Sequence, residues 1–472
     1  MQKLIICLCL SAISMACYAA EYNVLNFGAK ADAKSDDTAA IQNALDEAAK
    51  VKGSKVYIPT GRYLINGTLY IPTDVEVYGD YTGFGKQDST VLLSTKGKGE
   101  ETGEGLIVMR SGNNILRNLV IEYPEQDAQQ KEAIKYPFAI KVGAYSRVQN
   151  IFLLNPYQGL DLDGSHASVV RDVQGEPLRI GIHADHIYDI CRIENIHFWP
   201  FFTNNKPLRT YVQQHGVAFQ FGRSDWQYCF NTFCYGYKTG YRFFATDEVK
   251  HGESVYPAGT TNGNFVGIGA DCVKYGIDIE DSFSIGISVI NGEFAVFGGV
   301  DTIGVYLRNT NSGNITLTNC NFWAVADNLA VVESGTLNMV GCNVHSWNDA
   351  KRGATAFVIS GGRVSVTSSV VNTNNGLFAK LSGDETRVTF SSIMGVDGLT
   401  IESDIAERLI NLGNNPQIKV VSNKNKDINI DKNNSENSIM NNDKSADNTP
   451  VDDKKLDDNE LKREPWKQYP NY

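Results

Sequence analysis

Gly159-Leu-Asp-Leu-Asp163 is followed by Gly181-Ile-His-Ala-Asp185, and the same spelling of glycine, apolar, variable, apolar, variable recurs. It returns at Gly216-Val-Ala-Phe-Gln220, Gly240-Tyr-Arg-Phe-Phe244, Gly276-Ile-Asp-Ile-Glu280, Gly304-Val-Tyr-Leu-Arg308 and Gly376-Leu-Phe-Ala-Lys380. Side chains alternate faces along a strand, so each unit buries two apolar residues and turns two others outward. Up to Gly304 the intervals are 22, 35, 24, 36 and 28 residues, the range of a solenoid or array. One short strand per turn, with no helical pattern between units, predicts an all-β chain wound as a single-stranded parallel β-helix. The outward positions then share one long face, and function is expected there.

Working outward from the repeat, the 472 residues suit one long core, because a solenoid grows along its axis without dividing into domains. The 43 glycines fit tight turns. A net charge of −11 argues against nucleic acid as a partner, which would meet a repulsive field. Residues 1–20 read as an export signal: Lys3, an apolar run over residues 4–13 and a small-residue site at Cys17-Tyr-Ala19. The run is too short to span a bilayer, and no later stretch is a membrane candidate. The expected location is therefore outside the cytoplasm, with cleavage before Cys17 and a lipid anchor as the lesser alternative. Of the six cysteines past Cys17, Cys320 and Cys342 lie one turn apart. Buried free thiols are expected there ahead of a disulfide.

The expected organisation is a signal over residues 1–20, a β-helix over 21–412 and an unstructured tail over 413–472. The tail assignment rests on a composition rich in Asn, Asp, Lys and Ser, which buries too little to order itself. Near the start, Tyr22-Asn-Val-Leu reads as a strand. A helix should follow, with N-cap oxygens from Asp36, Asp37 and Thr38 and an apolar stripe of Ile41, Ala44, Leu45 and Ala48. Such a helix would cover the open edge of the solenoid. Insertions at residues 200–215 and 246–263 should wall the outward face. A second motif, asparagine closely followed by an aromatic, recurs at Asn150, Asn195, Asn231, Asn291 and Asn319. It reads as turn asparagines bonded to backbone, with no chemistry assigned.

Asn26-Phe-Gly-Ala29, Ser35-Asp-Asp-Thr38, Val56-Tyr-Ile-Pro59, Gly61-Arg-Tyr63 and Val77-Tyr-Gly79 resemble the opening segment of the pectate-lyase-like superfamily. The resemblance implies a right-handed parallel β-helix and the company of polygalacturonase-type hydrolases, polysaccharide lyases and phage tailspikes. Asp32-Ala33 stands where that group usually has Asp-Gly. The polygalacturonase-type pattern of acids, with its Arg-x-Lys in register, is not reproduced here.

Stacking the units predicts two outward rows. The first runs Asp161, His183, Ala218, Arg242, Asp278, Tyr306, and the second Asp163, Asp185, Gln220, Phe244, Glu280, Arg308. Strands about 4.8 Å apart would crowd Asp161, Asp163, His183 and Asp185 into one patch, where at least one carboxyl should become harder to ionise. Paired carboxyls in different protonation states suit glycoside hydrolysis. Asp163 and Asp185, about 5 Å apart, would fit a retaining mechanism, while Asp161 and Asp185, about 8 Å apart, would fit an inverting one. Asp278 and Glu280 form a second candidate pair. Lys141, Arg242, Phe244, Tyr306 and Arg308 are the expected substrate-binding groups, and Trp226 a further stacking ring. His183-Ala-Asp-His186 resembles a metal-ligand string, but on a strand the two histidines face opposite sides.

The leading expectation is an exported glycoside hydrolase that needs no cofactor and acts on a polysaccharide. The alternative is a lyase in which Asp161, Asp163 and Asp185 hold Ca²⁺ and Lys141 or Arg242 acts as base. A non-catalytic glycan-binding surface protein is the third reading.

Overall fold

The computed structural model describes residues 19–81, 88–251 and 254–422. Most of the expected signal, Cys17 included, and residues 423–472 of the expected tail lie outside the described residues. The repeat folds as its spelling requires. Fourteen parallel strands, from Leu69–Ile71 to Ile418–Ser422, stack into one sheet, and the remaining coil strands form a second parallel sheet. Among the described residues, the single antiparallel strand pairing is Val249–His251 with Ser254–Tyr256. Each coil contributes to both sheets, so the chain winds as a right-handed parallel β-helix.

Inward positions stack in register: Ile140, Leu160, Ile182, Phe219, Tyr241, Ile277 and Val305 are successive partners. All are fully buried, each worth about 1.5–3 kcal/mol of transfer free energy. Strand spacing near 4.8 Å lets aromatic rings of consecutive coils stack. Phe219 lies 4.9 Å from Tyr241 and Phe221 lies 5.3 Å from Phe243, with ring planes 11° and 20° apart. The repeated glycine is a contact requirement. A Cβ on Gly159 would sit 2.3 Å from the carbonyl oxygen of Gly181, and one on Gly181 would sit 2.3 Å from that of Ala218.

The second sheet bends once per coil at a left-handed residue. Asn118, Asn150, Asn195, Asn231, Asn291 and Asn319 all have φ between 49° and 62°, a region where asparagine is among the tolerated residues. Their side chains bond to each other rather than only to backbone: Asn150 donates to Asn118 Oδ1 at 2.9 Å and Asn231 to Asn195 Oδ1 at 3.1 Å. Ala33, standing where the superfamily usually has glycine, is also left-handed, at φ 62°.

Helix α1, Thr38–Ala48, buries Ile41, Ala44, Leu45 and Ala48 against the first coils. Of the proposed caps, Asp36 accepts from the Thr38 N–H, whereas buried Asp37 accepts instead from Lys30 and Ala31. The first strand is shorter than expected, Glu21–Asn23, because a 3₁₀ turn takes Val24–Phe27 and closes on left-handed Gly28. The first insertion contains an unforeseen helix, α2, Leu208–His215. At the far end the coils run past the expected boundary near 412, since Ile418–Ser422 pairs with Leu399–Ser403. Cys320 and Cys342 are buried free thiols.

Candidate functional site

The outward row of the fourteen-stranded sheet reads Lys141, Asp161, His183, Gln220, Arg242, Asp278, Tyr306. It differs from the expected row at one coil. Gln220, not Ala218, is level with His183, because Ala218 takes the corner place that glycine holds in neighbouring units. Gln220 thereby leaves the second row, where Gly222 now stands beside Asp185. The insertion before Gly216 shifted that unit by two residues, which preserves the inward and outward alternation and hides the slip.

Three side chains at the start of the row come together. Lys141 Nζ lies 3.9 Å from Asp161 Oδ2, with Lys141 half exposed. His183, one coil further, stands between two rings, Phe138 at 5.8 Å and Phe244 at 6.0 Å. Its Nδ1 is 2.7 Å from the Gln220 side-chain amide; with that amide nitrogen donating, the imidazole carries its proton on Nε2. Burial pushes the Asp161 carboxyl above the usual aspartate range. His183 and Lys141 oppose the rise, and Asp163 adds a smaller part to it.

Asp163 and Asp185 are not a matched pair. The strand ends at Ala184, and Asp185 then turns into the next coils. Its Oδ1 accepts from the backbone N–H groups of His186 and Arg223 at 2.7 and 2.8 Å and from Thr246 Oγ1 at 2.7 Å. Asp163 Oδ1 lies 2.7 Å from Nδ1 of His186, a left-handed residue at φ 47°. His186 therefore stands between the two acids, 3.8 Å from Asp185 Oδ2. The sequence reading missed this histidine by extending the strand two residues too far. Arg223, also missed, stacks over the Tyr188 ring at 4.8 Å and donates to the Ala258 carbonyl at 2.9 Å, fastening the second insertion beside Asp185. Trp226 is 62% exposed.

The other candidate pair is clamped by arginines. Asp278, buried, accepts two bonds from Arg308 at 2.8 and 2.9 Å. Glu280 accepts from Arg242 at 3.0 Å. Arg242 also lies over the Phe244 ring and Arg308 over the Tyr306 ring, and the Tyr306 hydroxyl donates to Glu333 at 3.0 Å. Among the described residues no three His, Cys, Asp or Glu side chains converge in a way that could hold a metal ion. Asp185 Oδ1, in the group expected to hold Ca²⁺ with Asp161 and Asp163, already accepts three donors.

Residues 22–159 match the family described as Rhamnogalacturonase A/epimerase, pectate lyase-like. The protein is a parallel β-helix whose opening coils carry the pectate-lyase-like match. A stretch of 101 residues is 42% identical to alginate lyase 7 of Azotobacter vinelandii, covering 20% of the chain and 11% of that enzyme. A stretch of 66 residues is 53% identical to mannuronan C5-epimerase AlgE2 of the same organism, covering 12% of the chain and 7% of the epimerase. The chain thus matches about a tenth of those relatives' length. The solved A-module of the A. vinelandii epimerase AlgE6 aligns over 85% of this chain and 99% of its own, at 16% identity and a TM-score of 0.44. No helix among the described residues is long and apolar enough to cross a membrane.

Proposed function

We propose that this β-helix is an exported, carbohydrate-active enzyme that acts on a uronate-containing polysaccharide by removing the proton next to the sugar carboxylate. The observation that carries the reading is the row Lys141, Asp161, His183, in register on three consecutive coils, with the central carboxyl biased toward its protonated form. The names of the matched relatives, an alginate lyase and mannuronan C5-epimerases, support the same substrate class. Hydrolysis, the leading expectation from sequence, needs a second carboxylate with a free oxygen facing the first. Asp185, the partner expected from sequence, has one of its two oxygens, Oδ1, taken by three donors.

In this reading a protonated Asp161 donates to the uronate carboxylate and stabilises the charge that builds there as the adjacent C–H breaks. Lys141, alongside, takes that proton in its unprotonated amine form, and the electron pair moves toward the carboxylate. Two outcomes share this step. In β-elimination the pair returns to expel the neighbouring glycosidic oxygen, which takes the proton that Lys141 has accepted, while His183 Nε2–H is placed to donate a hydrogen bond to the sugar. In epimerisation a solvent-derived proton is instead delivered to the opposite face of the same carbon, and Lys141 returns its proton to solvent. Arg242 and Phe244, further along the row, would hold the next sugar units by charge and stacking.

Incubation with alginate tests this. Either new unsaturated, ultraviolet-absorbing chain ends or solvent deuterium entering the sugar at that carbon is expected. New reducing ends without either signal would overturn the reading in favour of hydrolysis. Binding with no chemical change would leave a glycan-binding protein.

A further inference from the structure

The asparagine motif to which the sequence reading gave no chemistry has a consequence on the other sheet. The left-handed residue bends each coil there, and the bend opens a concave angle running along the helix. Immediately after it, one column reads Gly269, Glu293, Asn321, Asn343, and the next reads Asp271, Ala295, Trp323. The angle holds a groove of about 330 Å³ that continues into a second of about 310 Å³, with Glu293 and Trp323 shared by both. Volumes of this size lie at the lower end for ligand sites.

Three features make the groove look built. Ala295, the smallest side chain in its column, sits between Asp271 and Trp323. Two coil steps of about 4.8 Å therefore leave a notch between them close to the width of a sugar ring. Trp323 stays 39% exposed, and its indole N–H donates to Glu293 Oε1 at 3.0 Å, which fixes the ring as one wall. An exposed tryptophan held in one orientation is a stacking surface whose ordering cost is already met. Finally, Asp271 is largely buried beside the groove, and burial pushes its carboxyl up to about 6 against a backbone bond from Cys272, with Glu293 adding a smaller part to the rise.

We infer that this groove is a second glycan site, separate from the Lys141 row, that binds a neutral sugar chain through Trp323, Asp271 and Glu293. The charge argues for a neutral occupant: two carboxylates line the groove and no lysine or arginine does, so a polyuronate would be repelled. The groove runs with the helix axis, so a chain lying in it would cross successive coils.

Native affinity electrophoresis of the whole protein tests the inference, with gels containing a soluble β-glucan, a galactomannan, soluble starch or alginate. At least one of the three neutral polymers should retard the wild type, and Trp323→Ala should weaken that retardation about tenfold or more. Alginate turnover should stay unchanged in the same variant, whereas Lys141→Ala does the reverse. Should Trp323→Ala melt early, Trp323→Phe decides. It keeps a ring but removes the indole, so the fluorescence change seen when the retarding polymer is titrated into wild type should vanish. No retardation by any neutral polymer, equal retardation of wild type and Trp323→Ala, or an undiminished fluorescence change in Trp323→Phe would overturn the site and leave the uronate chemistry untouched.

Discussion

The two ends of the outward row carry the same kinds of residue and are in different chemical states. At the Lys141–His183 end, Asp161 faces a lysine 3.9 Å away and a histidine, and is hard to ionise. At the Asp278–Tyr306 end, each carboxylate is held by a guanidinium, Asp278 by Arg308 through two bonds and Glu280 by Arg242. Both ends have acids two residues apart on one coil, and the spacing does not tell them apart. The residue one coil away does. A bidentate arginine uses both oxygens of a carboxylate and leaves little free for proton transfer, so the second end reads as a structural and substrate-holding lattice.

Substitutions at the two ends should diverge, most strongly in catalysis. Lys141→Ala and Asp161→Ala should each lower turnover of alginate about 10²-fold or more, the usual scale for a lost acid or base, with melting little changed. Glu280→Ala should leave turnover within about twofold; a comparable loss there would erase the distinction. Asp278→Ala should do the opposite, costing about 2 kcal/mol in denaturant unfolding by stranding part of a partly buried pair. Replacing Asp278 and Arg308 together with leucines should recover much of that loss.

A smaller effect separates protonated from charged Asp161. Asp161→Asn supplies a neutral donor of the same shape, so it should keep activity within about tenfold of wild type, where alanine does not. The sign of the pH dependence follows from the raised carboxyl. A group easier to protonate when folded favours the native state at low pH, and that contribution fades as pH rises from the usual aspartate range through the raised value. Both activity and stability of the wild type should show this decline, and Asp161→Asn should flatten it. A profile unchanged by the substitution would mean that Asp161 works ionised. The smallest effect is expected at Arg242 and Glu280, both about two-fifths exposed. A double-mutant cycle with Arg242→Gln and Glu280→Gln should give about 1 kcal/mol or less.

Much of this was legible in the chain. The glycine spelling located most coils, and the outward row was read correctly at Asp161, His183, Arg242, Asp278 and Tyr306. The stripe of α1 was also legible, since a 3.6-residue period needs no tertiary information. The failures have separate, local origins. Gln220 was set in the wrong row because a long insertion moved its unit by two residues. His186 was lost because the strand ends at Ala184 and a left-handed residue turns the corner. The groove at Trp323 was missed because its motif looked like turn chemistry alone.

The order of residues fixed the winding, its pitch and which side chains face out, because alternation and coil length are local properties that each unit spells for itself. Whether an outward acid is free or bound was settled only in three dimensions. The donors that lock Asp185 come from Arg223 and Thr246, 38 and 61 residues away, and the arginine that clamps Asp278 lies 30 residues on. Loops of unequal length set which of these partners arrive at the same height, and no repeat encodes that.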